Sequence, residues 1–540
     1  MTGFRRLRRL LFCFAFLPCT PALARAAQAP DAARTLDYIH HAWTTLTRSL
    51  ADCNALHDVK MAGQPVLYLP AEFTAPAELA TIAQRCHVEV RTLPRPITRL
   101  GDLNPDELPA QGVLYLPKPY VVPGGMFNEM YGWDSYFIVL GLLADKRYEL
   151  ARDMAENFVF EIEHYGGVLN ANRSYLLTRS QPPLFGAMLH AVLDEAFAGD
   201  AKGARELLQR AYPIAVRDHA LWLRDEHRAD DTGLARYFDF GEGPVPEVGD
   251  ATDLQNTIRW LLAHPAERLA DPNSAFLVRD AAQSCDVQKS KICSDAIVNG
   301  WRLSADFYRG DRAMRESGFD ISFRFGVYSG ATHRYAPVCL NSLLFRYEMD
   351  LAEFATRLGL LDEAQRWKDM AAARRVAIDR WLWHAEEGMY QDYDFVAGKP
   401  SHYAYITTFY PLWAGAASPR QARAVRDHLA LFERRHGLAM STTRSGAQWD
   451  EPFGWAPTNW IAIAGLANYG FDADVRRLAQ KFDATIDKNF ATDGTIREKY
   501  DMRTGSAEVR VTTGYTANVI GFGWTNGVYL KLHELLEAKH

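Results

Sequence analysis

The stretch Pro123-Gly-Gly-Met-Phe-Asn-Glu-Met-Tyr-Gly-Trp-Asp-Ser-Tyr-Phe137 places a glycine turn ahead of carboxylates and aromatics packed closely together. It reads as a sugar-binding loop that feeds a helix. Gly124 and Gly125 permit backbone geometry closed to other residues, Trp133 offers a flat apolar face for a pyranose ring, and Asp134 is a bidentate acceptor for hydroxyls. Taken alone, the same stretch also reads as a Pro-Gly turn into an amphipathic helix whose aromatics are core. Two more stretches of the same character lie further along, Gln448-Trp-Asp-Glu-Pro-Phe-Gly-Trp-Ala-Pro457 and Gly521-Phe-Gly-Trp-Thr-Asn-Gly527.

Together these stretches resemble the trehalase family of glycoside hydrolases, whose signatures run PGGRFxExYxWDSY and QWDxPxGWxP. The resemblance extends from about Pro123 to Leu532 and takes in Arg179-Ser-Gln-Pro-Pro183, Glu316-Ser-Gly-Phe-Asp320 and Arg497-Glu-Lys-Tyr-Asp501 in the family's order. It implies an all-α (α/α)6 barrel of paired helices and an inverting hydrolase of α,α-trehalose that needs no cofactor. By resemblance Asp320 is the general acid and Glu498 the base. Phe127, Trp133, Asp134, Asn170, Arg179, Ser180, Gln181, Glu247, Gly318, Trp449 and Asp450 form the sugar site, with Gly318 leaving room for the ring. Phe319, Phe323 and Phe325 supply the apolar setting that raises the pKa of an acid. The plainer readings are a surface aspartate capping a helix at 320 and a surface Glu498–Lys499 charge pair.

Four positions depart from the family pattern. Met126 and Val245 stand where the family has arginines, Cys339 replaces the aspartate of PVDLN, and Tyr515 stands where a glutamate is expected. Arg315, Arg324, Arg497 and Arg510 are candidates to supply the missing charge. Two other functions follow from these departures: a glycosidase of the same fold acting on another small disaccharide or glucoside, and a catalytically weak sugar-binding homologue. Retention of both Asp320 and Glu498 argues against the binder.

Outside the signatures, helical spacing recurs. Leu150, Met154, Phe158 and Ile162 form one stripe, and Leu340, Leu343, Leu344, Tyr347, Leu351, Phe354 and Leu358 another. Further helices are expected at about 184–198, 203–227, 362–383, 420–435, 458–469, 473–488 and 526–538. Residues 1–26, with a basic opening, an apolar run and small residues at Ala22, Ala24 and Ala26, read as a signal peptide, and hence as export to the periplasm or beyond. Residues 27–120 read as an N-terminal lead-in packed on a barrel of 121–540. In an oxidising compartment close cysteines pair, so Cys285–Cys293 and Cys53–Cys86 are the expected bridges and Cys339 a buried thiol. A formal net charge of −6 gives no electrostatic argument for nucleic acid or membrane and suits a monomer with a small neutral sugar as partner. No metal or nucleotide motif stands at a meaningful place.

Overall fold

Apolar residues three and four apart put one face of each long segment into the core, and a computed structural model shows the result. It describes residues 22–57, 63–265, 276–279, 287, 289–512, 514 and 518–537. The chain opens with α1 (Ala22–Leu46). A small parallel sheet follows, with β1 (Val66–Leu69) between β2 (Glu89–Thr92) and β3 (Val113–Leu114). Strands β1 and β3 follow Pro65 and Gly112.

The helices then come in pairs: α2 (Gly132–Ala144) with α3 (Tyr148–Tyr165), and α4 (Phe185–Ala191) with α5 (Ala201–Leu221). A separate helix, α6 (Ala305–Glu316), precedes α7 (Val338–Leu358) and α8 (Leu361–Trp381). Next are α9 (Tyr410–Ala414) with α10 (Pro419–Asp427), then α11 (Ala456–Asn468) with α12 (Asp472–Asp493), and last α13 (Gly523–Glu537). The expected stripes face inward. Met154, Phe158 and Ile162 are buried on α3, as are Leu340, Leu343, Leu344, Tyr347, Leu351 and Phe354 on α7.

Packing between these helices closes a ring. Each of α2, α4, α7, α9, α11 and α13 packs on the next, and α13 packs back on α2. Helix α2 is buried from Gly132 to Leu143, as an inner helix must be. Outside the ring α3 lies on α2, α5 on α7, α8 on α7 and α12 on α11 and α13. The architecture is an (α/α)6 barrel. The outer helix that should follow α13 comes from the other end of the chain, because α1 packs on α12 and α13. Tyr38 meets Phe490 with ring centroids 5.1 Å apart, and Thr35 donates to Asp487 at 2.7 Å.

The seam where the ring closes is made by two glycines. A Cβ on Gly141 would lie 2.3 Å from the Cα of Gly527, and one on Gly527 would lie 2.1 Å from the carbonyl oxygen of Phe137. Helices α2 and α13 therefore touch backbone to backbone, with Trp43 of α1 against the same point.

The expected bridge between Cys53 and Cys86 is present, with the Cα atoms 5.1 Å apart. Cys285 lies outside the described residues, so its pairing with Cys293 does too. Cys339 is buried, as expected. Most of the expected leader also lies outside them, but Ala22, Ala24 and Ala26, read as a cleavage region, belong to one helix that continues to Leu46. Among the described residues no helix is long and apolar enough to cross a membrane.

Candidate active site

The loops that join the helices bring many of the expected residues into contact with one another. Trp133 and Asp134 sit in the first turn of α2, whose Trp133 N–H donates to Gln181 Oε1 at 2.8 Å. Gln181 therefore binds the exposed start of a helix, a donor that would otherwise lack a partner. Ser180 is likewise internal, its hydroxyl donating to the Val168 carbonyl at 2.7 Å and its N–H to Glu316 at 3.3 Å. Buried Glu316 also accepts from the Phe238 N–H at 2.7 Å and lies 3.3 Å from His227 Nε2, so this motif carboxylate fastens three segments.

A charged cluster stands on that frame. Arg179, almost fully buried, donates to both oxygens of Glu247 and to Asn170 Oδ1, the last at 3.3 Å. Arg312 on α6 holds the Glu247 loop by donating to the carbonyls of Glu242, Gly243 and Pro244 and to Asp239. Burial pushes the Glu247 carboxyl up, but Arg179 and Arg315 outweigh it and hold it down at about 2.

Asp320 follows α6 and lies 3.5 Å from Arg315 Nη1, with its side chain 31% exposed. It is thus half-buried beside a guanidinium, not a surface aspartate capping a helix. Burial raises its pKa to about 6, against the pull of Arg315. Glu498 is 1% exposed and accepts from Lys499 Nζ at 2.8 Å, with Lys499 also fully buried. A surface charge pair is therefore ruled out. Asp134 ties the two carboxylates to one place: its pKa is raised well above the usual range first by burial, then by the charges of Glu498 and Asp320.

Glu498 is set by strand pairing. It precedes β5 (Lys499–Asp501), which pairs with β4 (Phe453–Trp455) from the QWD stretch. Trp524 Nε1 donates to the Glu498 carbonyl at 3.3 Å, and the Glu498 N–H donates to the Val519 carbonyl at 3.1 Å.

Several residues expected at the sugar site have protein partners of their own. Trp133 is 3% exposed and boxed by Phe137, Phe319, Trp449 and Trp524, so its face meets protein rings. Gly318 makes room for that indole: it has φ +76°, and a Cβ would meet Trp133 at 2.9 Å. Trp449 is stacked on Trp455 at 3.8 Å and nearly parallel. Asp450 is fully buried, accepting from the Phe323 N–H, the Tyr403 hydroxyl and the Ser445 hydroxyl. Trp449, whose N–H donates to the Ile321 carbonyl at 3.1 Å, and Asp450 thus brace the loop that follows Asp320. Gly124 does not need left-handed backbone; a Cβ there would meet Val519 at 2.8 Å, and Gly125 has open space around it. Phe127 is half-buried against Tyr131 and Phe522.

At the departures, Met126 is 52% exposed and Val245 fully buried, so neither offers a polar replacement. Arg324 is spent on Asp392 through two hydrogen bonds of 2.7 and 2.6 Å. Asp392 thereby gives that arginine the carboxylate that Cys339, 3.5 Å away, cannot provide. No local motif around Asp392 announced this. Arg497 pairs with Asp493, and Arg510 is exposed. Arg315 alone of the four candidates touches Asp320. Tyr515 lies outside the described residues. Among the described residues, no three His, Cys, Asp or Glu side chains are grouped to hold a metal ion.

The family profile described as Trehalase matches residues 18–537. The cytosolic neutral trehalase of Saccharomyces cerevisiae is 32% identical over 547 residues, covering 90% of this chain and 69% of that protein. That of Kluyveromyces lactis is 37% identical over 441 residues, covering 76% of this chain and 56% of the relative, so the chain spans just over half of the latter's length. Among solved structures, neutral trehalase Nth1 from Saccharomyces cerevisiae matches with TM-score 0.77 at 31% identity, covering 94% of each chain. A mannosylglycerate hydrolase from Thermus thermophilus shares the fold at 20% identity and TM-score 0.51, covering 76% of this chain and 95% of that one. The family match begins ahead of Ala22, inside the segment read as a leader. With the relatives named as cytosolic, it overturns the expectation of a periplasmic or secreted protein.

Proposed function

The chain belongs to the trehalase family of glycoside hydrolases, and from that premise we propose that it hydrolyses α,α-trehalose to two glucose molecules with inversion. The observation that supports this reading is that Asp320 and Glu498 both lie near enough to Asp134 for its carboxyl to feel both charges. Asp320, its pKa raised to about 6, protonates the glycosidic oxygen as the bond to the anomeric carbon breaks. Glu498 takes a proton from a water that attacks that carbon from the opposite face, which leaves each product a free sugar. The names of the relatives point to trehalose as substrate and to the cytoplasm as the place of action.

A panel of disaccharides with released glucose as readout tests the substrate. Asp320→Asn and Glu498→Gln should each lower kcat on trehalose by about 10²–10⁴-fold or more while the far-UV spectrum stays that of the wild type. Full activity in either variant would remove that residue from its role. A sugar complex should set the two carboxyls roughly 6.5–9.5 Å apart across the anomeric carbon; a gap near ~5 Å would mean retention.

A second reading is favoured by Met126 and Val245. Without arginines there, part of the site is less polar, which suits a glucoside with fewer hydroxyls on one side. Comparing trehalose with aryl and alkyl glucosides in wild type and in Met126→Arg/Val245→Arg separates the two. Strong trehalase activity left unchanged by the double substitution would dismiss the second.

A further inference from the structure

We propose that Arg315 is the cation of the reacting subsite, a positioning residue that fixes the acid Asp320 and presents its remaining N–H groups to the sugar. This deepens the hydrolase reading above and rests on it. Arg315 stands in the last turn of α6, five residues before Asp320 in the chain. Its Nη1 is 3.5 Å from Asp320 and its Nε 3.6 Å from Asp311, with the side chain 20% exposed. Both separations are ion-pair distances longer than a good hydrogen bond, and Nε is buried with no hydrogen-bond partner. The other guanidiniums nearby are committed: Arg312 to Asp239 and three carbonyls, Arg179 to Glu247 and Asn170.

The charged groups around the pair come from every side. Asp311 and Arg312 lie on α6 itself, Asp239 and Glu247 on the loop that Arg312 holds, Arg179 on the loop before α4, and Asp134 on α2. Among them Arg315 interacts with Asp311, Asp320 and Glu247 at once. A planar fork with unspent donors at that point does two things. It offers hydroxyl contacts that Met126 and Val245 cannot, and it keeps one oxygen of Asp320 turned toward itself while the other is available to the leaving oxygen.

Arg315→Gln and Arg315→Lys test this on trehalose, or on whichever panel sugar is hydrolysed. In Arg315→Gln, kcat/KM should fall by about 100-fold. The alkaline limb of its pH profile should move up by about one pH unit, since removing a cation makes Asp320 hold its proton more tightly. In Arg315→Lys the charge is kept and the fork lost, so the limb should stay in place while KM rises about 10-fold. A folded Arg315→Gln with wild-type kinetics and an unmoved limb overturns the proposal. So does a fall in activity with an unmoved limb that lysine rescues no better, which is the mark of a packing role. Should the glutamine variant fail to fold, the lysine variant decides alone, and a wild-type KM there overturns it. Failure of the underlying reading has a different signature: an active Asp320→Asn, or no hydrolysis of any panel sugar.

Discussion

At the scale of single residues, Asp320 combines a cost and a use. Its pKa of about 6 means that the folded chain binds a proton more tightly than the unfolded chain does. That contribution is fully present below the ordinary carboxylate value of about 4 and is lost as pH rises through about 6. Wild type should therefore be less stable at pH 7.5 than at pH 4 by whatever share this group supplies. Asp320→Asn, neutral at every pH, should exceed wild type by about 1–3 kcal/mol at pH 7.5 and match it near pH 4. Denaturant melts at the two pH values check this; equal midpoints at pH 7.5 would contradict it. The same ionisation governs the proposed reaction, because the acid must carry its proton, so kcat/KM should fall as pH rises past about 6. Residue types named the chemistry well and the orientation poorly. Gln181 and Asp450 are both expected in the sugar site. Both accept from protein donors, Gln181 through Oε1 alone, and nothing in the local sequence tells a side chain which donors it will meet.

At the scale of elements, the period of the apolar residues was the strongest sign, and it sufficed for α3, α7, α8 and α11 to α13 within a few residues. Expected helix 203–227 ends early, at Leu221, and 420–435 ends at Asp427. Past those points the apolar residues still recur, but the chain passes into single turns and a short strand. What no helical period can reveal is which helix meets which. Gly141 reads as a weak point inside α2, and only its contact with Gly527 of α13 gives it a reason. The ring closes there, so Gly141→Val and Gly527→Val should both destabilise, by about 1–3 kcal/mol each or more where backbone atoms collide. Thermal melts check this, with a valine at Gly125 as control, since a Cβ there meets nothing within 4 Å. Equal melting of all three variants would mean that the seam yields.

At the scale of the whole molecule, the N-terminal helix belongs with the last helices of the chain. In the fold, α1 takes the outer position beside α13, and Ile39, Trp43 and Leu46 are each at most 3% exposed. Burying three such side chains contributes about 5–9 kcal/mol, comparable to the ~5–15 kcal/mol that holds a typical domain together. Helix α1 is thus as much a part of the barrel as the helices that carry the signatures, and the distance in sequence between α1 and α13 is what concealed it. Removing the chain up to Leu46 should give a protein that aggregates or melts without cooperativity, although every proposed site residue remains. Trp43→Ala is the gentler form of the same test: it should cost about 3–5 kcal/mol and lower the melting temperature, while kcat of the folded fraction at low temperature stays that of wild type. A truncated chain with wild-type melting would show instead that α12 and α13 close the barrel by themselves, and that α1 only lies against it.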